Sequence, residues 1–169
     1  MSKKLVPQTS KIYDEIYTPK IALNPLLPYL SKDKVIWECA YGEGDLANHL
    51  REYGYTVVGT KNLDFFISDI PADVIVTNPP YSKKIEFLSR AYELRRSFAF
   101  LLPLTTLEGK ARGQLFRENG IQLIIPNRRI NFTSGSGAWF AVAWFTSGFN
   151  LERDLIFAEL EDEKQIDLF

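Results

Sequence analysis

Residues 77–81 read Thr-Asn-Pro-Pro-Tyr and close the β-forming run DVIVT (73–77). Each proline lacks a backbone donor and holds φ near −65°, so the strand ends here and the chain leaves it along a stiff path. At the end of a strand in an open α/β sheet, such a turn faces the ligand crevice. The Asn78 side-chain oxygen and the Pro79 carbonyl are two acceptors in a rigid frame, suited to taking both hydrogens of one planar amino group. Once so held, the nitrogen moves toward tetrahedral and its lone pair, otherwise conjugated into a ring, faces an electrophile. Positioning and electrostatics carry such a step, without a strong base. Pro80 stiffens the turn further, and Tyr81 offers a flat ring on which a base can stack. A plain proline turn with a packed tyrosine is the competing reading.

A second candidate lies upstream, in the stretch ECAYGEGDL (38–46). Its glycines follow an apolar run and precede a helical pattern, where a small backbone permits close approach to a nucleotide-like ligand. It is not a G-x-G-x-x-G fingerprint, because Ala47 stands at the third glycine's place. Glu38, at the end of the apolar run, is suited to a cationic or hydroxylated group. His49 is the only histidine and Cys39 the only cysteine. Neither belongs to a metal-ligand cluster or a nucleophile–base pair, and both read as structural.

These residues must be positioned by strands and turns, and the pattern supplies them. KVIWEC (34–39), YTVVGT (55–60), DVIVT (73–77), SFAFLLPL (97–104), IQLIIP (121–126) and WFAVAWF (139–145) read as strands. Between them, Asp45 reads as the N-cap of a helix that stops at Gly54, with Leu46 and Leu50 on one face. KIEFLSRAYELRR carries Ile85, Leu88 and Tyr92 at helical spacing, and GKARGQLFRENG closes at Gly120. Alternation of strands and helices predicts an α/β, doubly wound, mostly parallel sheet. IQLIIP and WFAVAWF have no helix between them, so they are expected to pair antiparallel at one edge. Thr18 and Pro19 read as N-cap and N1 of a short helix broken at Pro25. Trp139, Phe140, Trp144 and Phe145 read as core.

Composition is that of an ordinary globular chain of one domain. The expected division is a domain over 1–150 and an acidic tail over 151–169. There is no signal-peptide core and no long apolar window, so a cytoplasmic protein that neither spans nor binds a membrane is expected. The net charge of −1 hides an asymmetry: residues 83–129 carry ten Lys/Arg against four Glu, and residues 150–169 carry two against seven acids. The basic stretch suits a polyanion passing the Asn-Pro-Pro-Tyr turn, with Lys83, Lys84, Arg128 and Arg129 as phosphate-binding candidates. Solvated helix faces and strand flanks are the bland alternative.

An apolar strand, an acid and a Gly-x-Gly loop, followed about 35 residues later by a strand and Asn78-Pro79-Pro80-Tyr81, resemble the amino-methyltransferases that use S-adenosylmethionine, chiefly those acting on adenine N6 in DNA. The resemblance runs from residue 17 to about 145 and implies a seven-stranded Rossmann-like sheet. It implies that Asn78, Pro79, Pro80 and Tyr81 are catalytic. Tyr17, Thr18, Pro19, Glu38, Ala40, Gly42, Gly44, Asp64 and Phe65 would hold the cofactor. The implied substrate is duplex DNA with a flipped adenine. One departure stands out: Lys61 occupies the place where the family has an acid for the ribose hydroxyls, and a lysine cannot accept their hydrogens. Two alternatives stay open, an RNA adenine or protein-glutamine methyltransferase and a catalytically silent binding protein on the same fold.

After the acidic run come Gln165, Ile166, Asp167, Leu168 and Phe169. They resemble the pentapeptide by which bacterial replication proteins dock on the β sliding clamp, which implies recruitment to replicating DNA by raised effective concentration. A chain this short leaves little room for sequence readout, so low or short target specificity and a bacterial or phage source are expected.

Overall fold

A computed structural model describes residues 17–132 and 140–160 of the chain. Seven strands form one sheet: β1 (Val35–Trp37), β2 (Thr56–Val58), β3 (Val74–Thr77), β4 (Ser97–Pro103), β5 (Gln122–Pro126), β6 (Val142–Ser147) and β7 (Leu155–Ala158). Three α-helices connect them: α1 (Asp45–Glu52), α2 (Lys84–Glu93) and α3 (Lys110–Asn119). The strand order is β2-β1-β3-β4-β6-β5-β7, with β6 antiparallel to both its neighbours and every other pair parallel. The expected doubly wound, mostly parallel sheet is therefore present.

The sheet is buried on both faces, which is why its central strands read as continuous apolar runs. Along β4 six of seven residues are buried. Ala99 and Leu101 face a core built with Leu23, Leu26 and the α1 residues Leu46, Ala47 and Leu50. Phe98, Phe100 and Leu102 face the other, built with Phe87, Leu88 and Ala91 of α2. Trp144 and Phe145 of β6 are fully buried on opposite faces, as their alternation predicts. Each such side chain removed from water contributes about 1.5–3 kcal/mol. Trp144 also donates its indole N–H to the Ala22 carbonyl at 2.8 Å, tying the upstream segment to the middle of the sheet.

The expected antiparallel pairing of IQLIIP with WFAVAWF is present toward this edge, Leu123 opposite Phe145, with one further strand beyond β5. That strand, β7, pairs with β5 through Leu123–Leu155 and Ile125–Phe157, so residues 155–158 belong to the domain rather than to a tail beginning at 151. The helix caps shift as well. Gly44, in the left-handed region at φ 88°, precedes α1, and Asp45 is the helix's first residue. Thr18 caps nothing: the upstream segment forms two 3-10 turns, Lys20–Leu23 and Leu27–Tyr29, the first preceded by Pro19 without a side-chain cap.

The topology fixes where a ligand can sit. From β1 the chain passes through α1 to β2 on one side, then returns to β3 on the other. Adjacent parallel strands whose connections diverge open a crevice at their carboxyl ends. The glycine loop leaves β1 there, and the Asn-Pro-Pro-Tyr turn leaves β3 beside it.

Candidate functional site

A cavity of about 500 Å³ occupies this crevice, within the usual range for small-molecule sites. It is lined by Tyr17, Thr18, Glu38, Ala40, Tyr41, Gly42, Glu43, Asp45, Leu46 and Asn78. Six of the predicted residues thus meet across it: Tyr17, Thr18, Glu38, Ala40, Gly42 and Asn78.

Glu38 follows β1 and is 2% exposed. Burial disfavours its charged form and pushes its carboxyl up to about 8, although hydrogen bonds from the Thr77 hydroxyl and the Ala40 N–H pull the other way. The Ala40 N–H lies 3.0 Å from Glu38 Oε1 and 3.3 Å from Thr77 Oγ1, so one acid ties the glycine loop to the end of β3. Burial also raises the neighbouring Cys39 thiol well above its ordinary range, which makes it unreactive and supports its structural reading.

Two glycines make the loop's path possible. A Cβ on Gly44 would stand 2.9 Å from the Tyr41 ring, on top of the strain of a left-handed φ. Gly59, just past β2, lets the backbone pass so close to the Glu38 carbonyl that a Cβ there would clash with it. Tyr41 packs between these glycines and accepts a hydrogen bond from Arg51 Nη1 at 3.2 Å.

Asn78 carries the most informative contact. Its Nδ2 donates to Thr18 Oγ1 at 2.9 Å, which orients the amide. Its Oδ1 is buried and has no hydrogen-bond partner among the described residues. A buried acceptor left unpaired costs about 1–3 kcal/mol, a cost that a donor brought by a ligand removes. Behind it Pro79 is buried, the Pro80 carbonyl accepts from the Lys83 N–H at 3.0 Å, and a 3-10 turn, Tyr81–Lys83, leads into α2. Tyr81 is half-buried, its ring edge-on to Phe140 at 5.7 Å, and burial raises its hydroxyl pKa.

The rest of the predicted set lies elsewhere. Phe65 is 2% exposed, stacked on Phe87 at 5.1 Å and edge-on to Trp37 at 5.3 Å, and packs in the core rather than lining the cavity. The Asp64 carboxylate accepts the Phe66 N–H at 2.8 Å in its own turn and does not line the cavity. Pro19 and Gly44 shape the walls without lining them. Lys83, Arg128 and Arg129 are exposed on loops after β3 and β5, which run the same way through the sheet, so these cations share the cavity's edge. Lys84 instead donates to the Tyr81 carbonyl at 3.1 Å.

Sequence reasoning missed Tyr41, Glu43 and Gly59. Lys61, read as a departure, forms an ion pair with Glu43, so an acid does stand on the cavity wall but comes from the glycine loop. His49 accepts or donates at 3.0 Å with the Tyr17 hydroxyl, holding that ring at the cavity mouth. Among the described residues no group of His, Cys, Asp and Glu is placed to hold a metal, and no helix is long and apolar enough to cross a membrane. The pentapeptide 165–169 lies outside the described residues.

No family model matches the chain, and no curated protein matches it. Among solved structures, it is similar to a protein of Pyrococcus horikoshii provisionally described as an RNA methyltransferase, with TM-score 0.52 and 13% identity over 87% of this chain and 92% of that one. It is also similar to a dimethyladenosine transferase from Plasmodium falciparum, with TM-score 0.51 and 11% identity over 78% of this chain and 62% of that one. At these identities the likeness concerns architecture, and on that architecture the two loops found here stand at the strand ends: the chain has the Rossmann-like methyltransferase fold.

Proposed function

We propose that this chain transfers a methyl group from S-adenosylmethionine to the N6 amine of adenine in DNA. The observation that carries the reading is the Asn78 amide: oriented by Thr18, buried at a crevice, and left with an unused acceptor at the start of a two-proline turn. An adenine amine brings two hydrogens; Asn78 Oδ1 and the Pro79 carbonyl accept them and turn the nitrogen's lone pair toward the methyl donor. When bound, S-adenosylmethionine supplies an electrophilic methyl group on a sulfonium, whose departure needs no acid. The nitrogen becomes cationic as the new N–C bond forms and then loses a proton to water. Glu38, Ala40 and Gly42 would hold the cofactor's amino-acid end, and the cavity volume suits a nucleoside-sized ligand. Tyr81 would stack on the extruded base, with Lys83, Arg128 and Arg129 on the phosphates.

RNA adenine is the second reading, favoured by the names of the two similar structures. The DNA reading rests on the Asn-Pro-Pro-Tyr resemblance and on residues 165–169, which we propose dock on a sliding clamp. Labelled methyl transfer to matched DNA and RNA, with nucleoside analysis, separates them. N6-methyladenine in the DNA supports the first reading, product in RNA alone replaces it with the second, and no product with either overturns both. Loss of clamp capture on deleting 165–169 tests the tether.

A further inference from the structure

Residues 17–20 run from the cavity along helix α1, and both ends of this short strap are fastened to the helix. At one end the Tyr17 hydroxyl lies 3.0 Å from His49 Nε2, with the two rings edge-on at 5.8 Å. At the other, Lys20 Nζ donates to Glu52 Oε2 at 2.6 Å and stands 4.8 Å from the centre of the Tyr53 ring. His49 and Glu52 are an i, i+3 pair and so neighbours on one face of α1. Between the fastened ends lie Thr18, 5% exposed and bonded to Asn78, and Pro19, at φ −68°.

His49 links the two fastenings. Its Nδ1 is buried, has no hydrogen-bond partner among the described residues, and lies 4.0 Å from Glu52 Oε2. The hydrogen bond from Lys20 lowers the Glu52 carboxyl below its ordinary range and keeps it ionised. A carboxylate facing Nδ1 favours the tautomer that carries its proton there, which leaves Nε2 to accept the Tyr17 O–H. In a protonated imidazole Nε2 would donate to the same hydroxyl oxygen, so the link holds in either state. Tyr17 needs such a partner. Its ring lines the cavity yet is 50% exposed, and an exposed ring keeps one orientation only when a contact offsets its lost freedom.

We propose that His49 is a positioning residue for the cavity's ligand: with Glu52 it latches Tyr17 at the mouth and so sets how fast the ligand escapes. The ligand class, S-adenosylmethionine, rests on the methyltransferase reading above. His49 does not itself line the cavity, so its influence passes through the Tyr17 hydroxyl.

Calorimetric binding of S-adenosylmethionine, with its dissociation rate by stopped flow, tests the latch. His49→Ala should weaken binding about fivefold to tenfold, the scale of one hydrogen bond, chiefly through faster dissociation. Tyr17→Phe should give the same loss, and the double variant no more than either single, because all three remove one bond. His49→Gln, whose amide can meet the hydroxyl, should recover most of the affinity. Turnover at saturating cofactor should fall less than affinity does in each variant. Lys20→Ala should cost less than about threefold, since its pair is exposed on both sides. Wild-type affinity in His49→Ala, losses that add in the double variant, or a Gln variant as weak as the Ala variant overturns the latch and leaves the methyltransferase reading standing. A wild-type chain that binds no S-adenosylmethionine overturns both.

Discussion

Asn78 and Gln122 are side-chain amides at opposite ends of the sheet, and they are used in opposite ways. Gln122, at the start of β5, spends both ends of its amide on the backbone: Nε2 donates to the Leu151 carbonyl at 3.2 Å, and Oε1 accepts the Leu151 N–H at 3.0 Å. Asn127 likewise accepts the Leu160 N–H at 3.0 Å, so the two amides clamp the approach to β7 and its exit. Asn78 spends only its nitrogen, on Thr18, and keeps a buried oxygen idle. Where an amide serves the fold, its hydrogen bonds close inside the chain. Where one is left open at a crevice, the missing partner is expected to come from outside.

The sharpest way to break that contrast is to remove each amide. Asn78→Ala should lower methyl-transfer turnover on the order of 10²-fold, the scale for losing one preorganised electrostatic contact, with cofactor affinity and melting temperature little changed. Equal losses of turnover and cofactor affinity would move Asn78 out of the substrate's reach. Gln122→Ala should do the reverse, costing about 1–3 kcal/mol of stability by urea unfolding because the Leu151 backbone loses both partners, with turnover per folded molecule unchanged.

A smaller effect probes the site's other buried polar group. Glu38 has its carboxyl raised to about 8 by burial, above its unfolded value, so the folded chain holds more protons than the unfolded one between those two limits. Its contribution to stability is full below about pH 4.5 and fades as pH rises toward 8, with a slope of at most about 1.4 kcal/mol per pH unit. Glu38→Gln should flatten that part of the stability profile, and an unchanged profile would show that the acid is ionised when folded. Smallest of all, Lys61→Ala should change cofactor affinity less than about threefold, because its pair with Glu43 is exposed on both sides. A tenfold loss would instead make the ion pair part of the binding site.

The site end was legible because its punctuation is local. Apolar runs stopped by Gly42 and Gly44, or by Pro79 and Pro80, mark strand ends directly, and parallel pairing then brings the two loops together. The far end depends on contacts between residues distant in sequence. Gln122 meets Leu151, and nothing near either announces it. Strand β7 reads as tail because it follows Glu152, Arg153 and Asp154 and its residues, Leu155, Ile156, Phe157 and Ala158, are all apolar with no alternation to mark a strand. Thr18 has the position and chemistry of a helix cap, yet its hydroxyl is taken by an amide sixty residues away. Phe65 shows the same limit: a loop sequence does not reveal which way an aromatic ring turns, and packing with Trp37 and Phe87 decided it.

The lone reversed strand, β6, also sets an order of assembly. It lies between β4 and β5 although it follows both in the chain. During synthesis β5 emerges with no place to pair, since its seat on the sheet is made by residues 142–147, which come later. Until then the β4 edge, with Phe98, Phe100 and Leu102 along it, waits uncovered, and the nascent chain carries an unpaired apolar strand on which another strand can pair.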